Sequence, residues 1–187
     1  MTEPIEPPTS GDLVISATVF YLIMALVGVG ILHLQGLEPA VVVFGEEPQV
    51  LRDTLLGSGA GLMLVVGTHL LRDWPPMTEM KSLMSQTLGR PGTITITVLA
   101  VTSSVADEIL FRGAIQPLLG LVVTSLIFGL VHGGLSPRFR VWVGFATVGG
   151  FVLGGLSDFT GNLLAPMLCH LTLNYFNLHV ITQDPSQ

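Results

Sequence analysis

From Leu13 to Leu34 the chain carries no Asp, Glu, Lys or Arg, and its one histidine there, His33, lies at the far edge. At 1.5 Å per residue such a run is long enough to cross hydrocarbon about 30 Å thick. The backbone must then satisfy itself, which a helix does within one segment. Further apolar stretches run from about Thr54 to Leu71, from Thr93 to about Leu119, from a turn near Gly120 through FGLVH, from about Phe139 to Leu156 and from about Asn162 to Ile181. The expected fold class is all-α: a polytopic membrane protein of about six transmembrane helices plus one interfacial amphipathic helix. Mean hydropathy is +0.71 and only 11% of residues are charged, against about 25% in a soluble domain.

The segment before the first span, residues 1–12, holds three acids, three prolines and no Lys or Arg. A cleavable signal needs a basic start, so a disordered tail is expected and the first span should remain in the mature protein. Residues 13–76 form a unit of two N-terminal transmembrane helices. Within the second, Gly57 to Gly61 read GSGAG. No strand precedes this stretch and no Lys-Ser/Thr follows, so it is a helix-packing face rather than a phosphate loop. His69, near the end of that helix, is given no role. After Pro75-Pro76, the residues Met77, Met80, Leu83, Met84 and Leu88 recur at helical spacing opposite Glu79, Lys81, Ser82 and Gln86, which is the pattern of an amphipathic helix lying in the interface.

Charge excludes several functions. The net charge is -6 and no basic stripe exists, so no nucleic acid is expected as a partner. The single cysteine, Cys169, rules out an intrachain disulfide. No repeated half or pair of broken helices points to a transporter. With six spans, Arg72, Lys81, Arg90, Arg138 and Arg140 fall on one side and Arg52 on the other, which puts both termini in the cytoplasm.

Against this apolar background three polar clusters stand out: Asp107, Glu108 and Arg112 in DEILFRG, His132 in FGLVH, and His170 with Asn174 in HLTLN. An Asp or Arg at the centre of a spanning helix costs at least about 2.5 kcal/mol, so such residues read as functional. Glu108 and Arg112 are four apart, as are His170 and Asn174, and Phe128 lies one turn before His132, so each pair shares a helix face. If the chain turns at Gly120, Asp107 lies thirteen residues before the turn and His132 twelve after it, both roughly 20 Å from it. The two side chains should meet, and His170 should lie within about two turns of them. A cavity holding Asp107, His132, His170 and Asn174 is expected to open near Gly133 and Gly134, on the cytoplasmic side.

In order and spacing, DEILFRG, FGLVH and HLTLN resemble the three signature motifs of the CAAX protease and bacteriocin-processing (CPBP) family of intramembrane endopeptidases. The resemblance covers roughly Met77 to Val180 and defines a core over residues 77–182. Glu108, Arg112, Phe128, His132, His170 and Asn174 match the family pattern. Asp107 stands where the family has a glutamate, the base thought to activate water. The shorter arm retracts the carboxylate by more than 1 Å, and a misplacement of about 1 Å can cost a hundredfold in rate.

The resemblance and the residue types together imply that Asp107 and His132 activate a water, that His170 and Asn174 donate to the oxyanion, and that Glu108 and Arg112 pair to stiffen the site. No cofactor is expected on this reading. An alternative is a zinc ion held by Asp107, His132 and His170. The implied partners are membrane lipid and a peptide or membrane-protein substrate, and the implied location is a prokaryotic cell membrane. A competing reading is a catalytically weak or inactive CPBP-like scaffold or immunity protein that binds a partner helix, to which Asp107 lends support.

Overall fold

The computed structural model describes residues 10–182, and within them every regular element is helical. Helix α1 runs Ser10–Leu34, a short α2 Pro39–Phe44, α3 Val50–Leu70, α4 Pro75–Leu88 and α5 Thr93–Asp107. A π-helical segment, Glu108–Ile115, continues α5 and leads into α6, Gln116–Gly133. A 3-10 turn at Pro137–Phe139 precedes α7, Arg140–Thr160, and α8 is Leu164–Thr182. The expected tail over 1–12 falls mostly outside the described residues, but its last three, Ser10 to Asp12, are already helical.

The protein is an integral membrane protein. Four helical segments are long and apolar enough to cross a membrane: Val14–Leu34, Val50–Leu70, Thr93–Gly133 and Pro137–Thr160. Their outer faces expose Ile15, Leu26, Leu55, Met63, Leu118 and Val131, a belt of apolar surface far beyond what a soluble monomer shows water. Four such segments stand against the six spans expected, for two reasons. The 41-residue segment contains two of the expected spans, because Gly120 sits at φ +75° and turns the chain there. Helix α8 carries His170, Asn174, Asn177 and His179, which dilute its apolar character.

Gly120 is the position where a turn requires glycine, since a side chain at that φ is strained. Beyond it the chain doubles back: Phe128 stacks edge-on against Phe111 at 5.1 Å, and His132 reaches Asp107. Helix α8 is antiparallel to α5, pairing His170 with Glu108 and Asn174 with Ser103. Helix α1 runs parallel to α5, since Gly28 abuts Leu110 and Gln35 donates to the carbonyl of Ala114 at 2.9 Å. The start of α1 and the end of α8 therefore lie at the same end of the bundle.

Small residues set the closest approaches. Helix α3 packs along α8 through Gly57 and Gly61, as GSGAG led one to expect. A Cβ at Gly57 would overlap the carbonyl of Ala165, and one at Gly61 would stand 2.7 Å from the carbonyl oxygen of Cys169. Both obstacles are backbone and cannot swing away, so Gly61→Leu should cost on the order of 1–3 kcal/mol or more. Thermal unfolding in detergent checks this, and an unshifted midpoint would show that the two helices are not in register as described.

Helix α4 begins with Pro75 and Pro76 in its first turn, where a missing N–H costs nothing. Its apolar face is as expected, with Met77 and Leu83 buried and Glu79 and Gln86 exposed. That face packs on α7 and α8. At the opposite end of the bundle, the fully buried Asp53 accepts from Arg52 and from Asn162, each at 2.7 Å. Asn162 also caps α8 by accepting from the N–H of Leu164 at 3.0 Å.

Candidate active site

Asp107 closes α5 and Glu108 opens the π-segment, so the two adjacent carboxylates sit where the helix widens. The widened turn shows in the bond from the Gln116 N–H to the carbonyl of Phe111, five residues back. Such segments recur at functional sites because they re-aim side chains without ending the helix. Both carboxylates are buried, Asp107 at 3% exposure and Glu108 at 0%.

Glu108 Oε1 accepts from Arg112 Nη1 at 3.0 Å and from His170 Nδ1 at 2.8 Å. The expected pair with Arg112 is therefore present, and it has a second task, which is to orient His170. Arg112 also donates to the carbonyl of Gly150 at 3.3 Å, and its guanidinium lies 4.1 Å from the centroid of the Phe128 ring. A desolvated cation over an aromatic face contributes about 2 kcal/mol. The same ring packs against His132, with centroids 4.2 Å apart, and against His170 at 6.0 Å. Phe128 is thus the wall on which the basic residues of the site are set.

The hydrogen-bond partners assign both imidazoles. His132 Nδ1 lies 2.8 Å from the carbonyl of Phe128, an acceptor only, so Nδ1 carries the hydrogen. His170 Nδ1 faces a carboxylate and does the same. As neutral rings, both then present a bare Nε2. His132 Nε2 is 3.6 Å and His170 Nε2 4.0 Å from Asp107 Oδ2, which has no hydrogen-bond partner within the protein. Three acceptors face one another with no donor among them. Their separations exceed a direct hydrogen bond and match bridging by one small two-donor molecule, which is what water is.

The depth expected from the sequence is therefore found: Asp107, His132 and His170 meet. His132 is the accessible member, with its side chain 23% exposed beside the end of α6 at Gly133, and Gly134 and Leu135 beyond it are exposed. Asn174 lies one turn further along α8, where its Nδ2 donates to Ser103 Oγ at 3.0 Å rather than to either carboxylate. Two bare imidazole nitrogens and a carboxylate also match zinc by chemistry. Among the described residues, though, no group of three His, Cys, Asp or Glu side chains is spaced to hold a metal ion.

Residues 90–176, which include all six of these polar residues, match the family model described as type II CAAX prenyl endopeptidase Rce1-like. This segment of the chain is similar to the CAAX protease-like family. Among curated proteins, the uncharacterized protein YpbD of Bacillus subtilis (strain 168) is 34% identical over 79 residues, 42% of this chain and 41% of that relative. The match thus spans less than half of either chain. No solved structure matches the chain significantly. Within the Rce1-like segment the structure adds residues the motifs do not contain. Ser103 holds Asn174, and the Gly150 carbonyl holds Arg112. A serine one turn before the first acid and a glycine in a glycine-rich helix carry no signal of their own.

Proposed function

We propose that the protein is an intramembrane endopeptidase that hydrolyses a peptide bond of a membrane-associated substrate with a water activated by Asp107 and His132. The observation that carries this reading is the approach of two bare imidazole nitrogens, His132 Nε2 at 3.6 Å and His170 Nε2 at 4.0 Å, to the buried, unpartnered Asp107 Oδ2. A water there gives one proton to Asp107, and its oxygen attacks the peptide carbonyl as His132 accepts its second hydrogen bond. The tetrahedral oxyanion is met by the free N–H of the Asn174 amide, while His170, held at Nδ1 by Glu108, keeps its bare Nε2 toward the water. Asp107 then returns its proton to the leaving nitrogen.

In this reading the chain crosses the membrane six times, with the two helices of the Gly120 hairpin and α8 completing the count. The end carrying Arg72, Lys81, Arg90, Arg138 and Arg140 faces the cytoplasm of a prokaryotic cell, together with both termini. The site opens at that end, beside Gly133. The substrate is a peptide or membrane protein delivered within or beside the lipid, and the similarity to CAAX prenyl endopeptidases makes a prenylated peptide the first probe to try.

The test is single-turnover cleavage in proteoliposomes of a farnesylated peptide and of a non-prenylated membrane peptide, alongside a comparison of membrane peptides from cells with and without the protein. Cleavage lost in His132→Ala supports the reading. No product from either probe and no peptide that accumulates in cells lacking the protein would sink it. The chemistry proposed has no step through a metal, so the rate should withstand chelators, and a loss restored by zinc would replace the water-only mechanism with the Asp107, His132 and His170 zinc site.

A further inference from the structure

Charge is sorted across α4. Asp73 and Glu79 line a cleft of about 650 Å³ on one side of this helix, together with Thr78, Ser82, Gln86 and Arg138. Met77, Met80 and Lys81, which share the opposite face by helical spacing, line a crevice of about 210 Å³. Its other walls are Val65 and Val66 of α3 and Val180 and Ile181 of α8. Thr68 Oγ1 donates to Asn177 Oδ1 at 3.0 Å and pins those two helices together along it. Val66 and Val180 are exposed members of the apolar belt, so the crevice opens sideways onto lipid. Pockets that enclose a compact ligand run to roughly 300–1,000 Å³. A smaller, apolar, open-sided trough fits a single hydrocarbon chain lying along it.

The polar members of the crevice sit at one end of the bundle. His69 is in the last turn of α3, and Lys81 is on α4. Between those helices lies Trp74, half-exposed, and an indole ring marks the depth of the lipid headgroups. Arg72 is already engaged, its Nε with Asp73 at 3.3 Å and its Nη1 with His69 Nε2 at 3.0 Å. Since a guanidinium only donates, His69 accepts at Nε2 and is a neutral ring. Lys81, half-buried, has no ion pair or hydrogen bond among the described residues. The crevice thus offers one uncompensated cation at headgroup depth beside an apolar trough, which is the complement of one phosphodiester and one acyl chain.

We propose that this crevice between α3, α4 and α8 is a binding site for an anionic phospholipid, with one acyl chain along the apolar walls and the phosphodiester on Lys81. The assignment does not rest on the protease reading. Added to the full chain in a neutral detergent, dioleoylphosphatidylglycerol should raise the melting temperature in a saturable way, as a ligand of the folded state does. Dioleoylphosphatidylcholine, whose phosphate is balanced by its own choline, should bind more weakly. Glycerol 1-phosphate, a headgroup without chains, should have no effect.

Lys81→Gln should weaken the apparent affinity for phosphatidylglycerol about fivefold, the equivalent of about 1 kcal/mol for one juxtamembrane cation, and should leave the melting temperature without lipid unchanged. Arg138→Gln removes the same charge from the same end of the bundle but from the other cleft, and should leave the affinity as it was. Val66→Trp fills the trough from its exposed rim and should weaken both lipids. Equal losses in Lys81→Gln and Arg138→Gln would reduce the effect to diffuse attraction and overturn the proposal. So would phosphatidylcholine binding as tightly as phosphatidylglycerol, or a response to glycerol 1-phosphate alone. Displacement of the lipid by a farnesylated peptide would assign the trough to a substrate chain and overturn it as well.

Discussion

Asp107→Asn is expected to abolish cleavage, with a loss of at least 10²- to 10⁴-fold, the range that positioned proton transfer contributes. The amide keeps the shape of the carboxylate and removes its basicity. It also places an N–H opposite two bare imidazole nitrogens at 3.6 and 4.0 Å, where the water would have given its hydrogens. Asp107→Glu lengthens the arm by one carbon–carbon bond, about 1.5 Å. Because the aspartate oxygen stands beyond direct hydrogen-bond distance of both rings, the longer side chain has room to extend, and the rate should hold or rise. The check is single-turnover cleavage, with His132→Ala as a control for the same point. An Asn variant that cleaves at the unmodified rate would show that Asp107 is not the base. Glu108 would be a poor replacement, since its Oε1 already serves Arg112 and His170. A scaffold that only binds a partner helix predicts no cleavage in any variant, and binding indifferent to Asn at 107.

Arg112→Ala should lower stability by about 3–5 kcal/mol, the usual cost of stranding one member of a buried ion pair. Arg112 and Glu108 side chains are both fully buried, and the guanidinium also holds the Gly150 carbonyl and the face of Phe128. Its loss leaves the Glu108 carboxylate with His170 as its one remaining hydrogen-bond partner and removes the packing that seats Phe128, so activity should fall with stability. On the scaling of soluble proteins this is a shift on the order of 10 °C in melting temperature. Arg112→Lys keeps a charge but not the fork that reaches Glu108 and Gly150 together, and should recover only part of the loss. An unchanged melting temperature for Arg112→Ala in detergent would mean that the pair is solvated and does not brace the site.

Much of this architecture is legible in the chain because it depends on counting along a helix. Thirteen residues from Asp107 to Gly120 and twelve from Gly120 to His132 bring the two side chains to one depth, and the structure places them 3.6 Å apart. The four-residue steps from Glu108 to Arg112 and from Gly57 to Gly61 likewise declare a shared face whatever lies opposite. The membrane class follows from hydropathy alone, since lipid dictates self-satisfied backbone before any tertiary contact forms.

What lies opposite a face was decided by packing between elements distant in the chain. A helical pattern does not say where the helix widens, and the π-segment at Glu108–Ile115 exists with Gly28 and Gln35 of α1 packed against it. Nor does HLTLN tell which groups its polar residues will meet. His170 reaches back to Glu108 across 62 residues and Asn174 to Ser103 across 71, and these partners fix a tautomer and an amide orientation that one-dimensional spacing leaves free. The same holds for Asn162, bound to Asp53 across 109 residues. Local periodicity specifies which face of a helix is polar. The identity and direction of each hydrogen bond depend on donors and acceptors that only the assembled bundle brings within 3 Å.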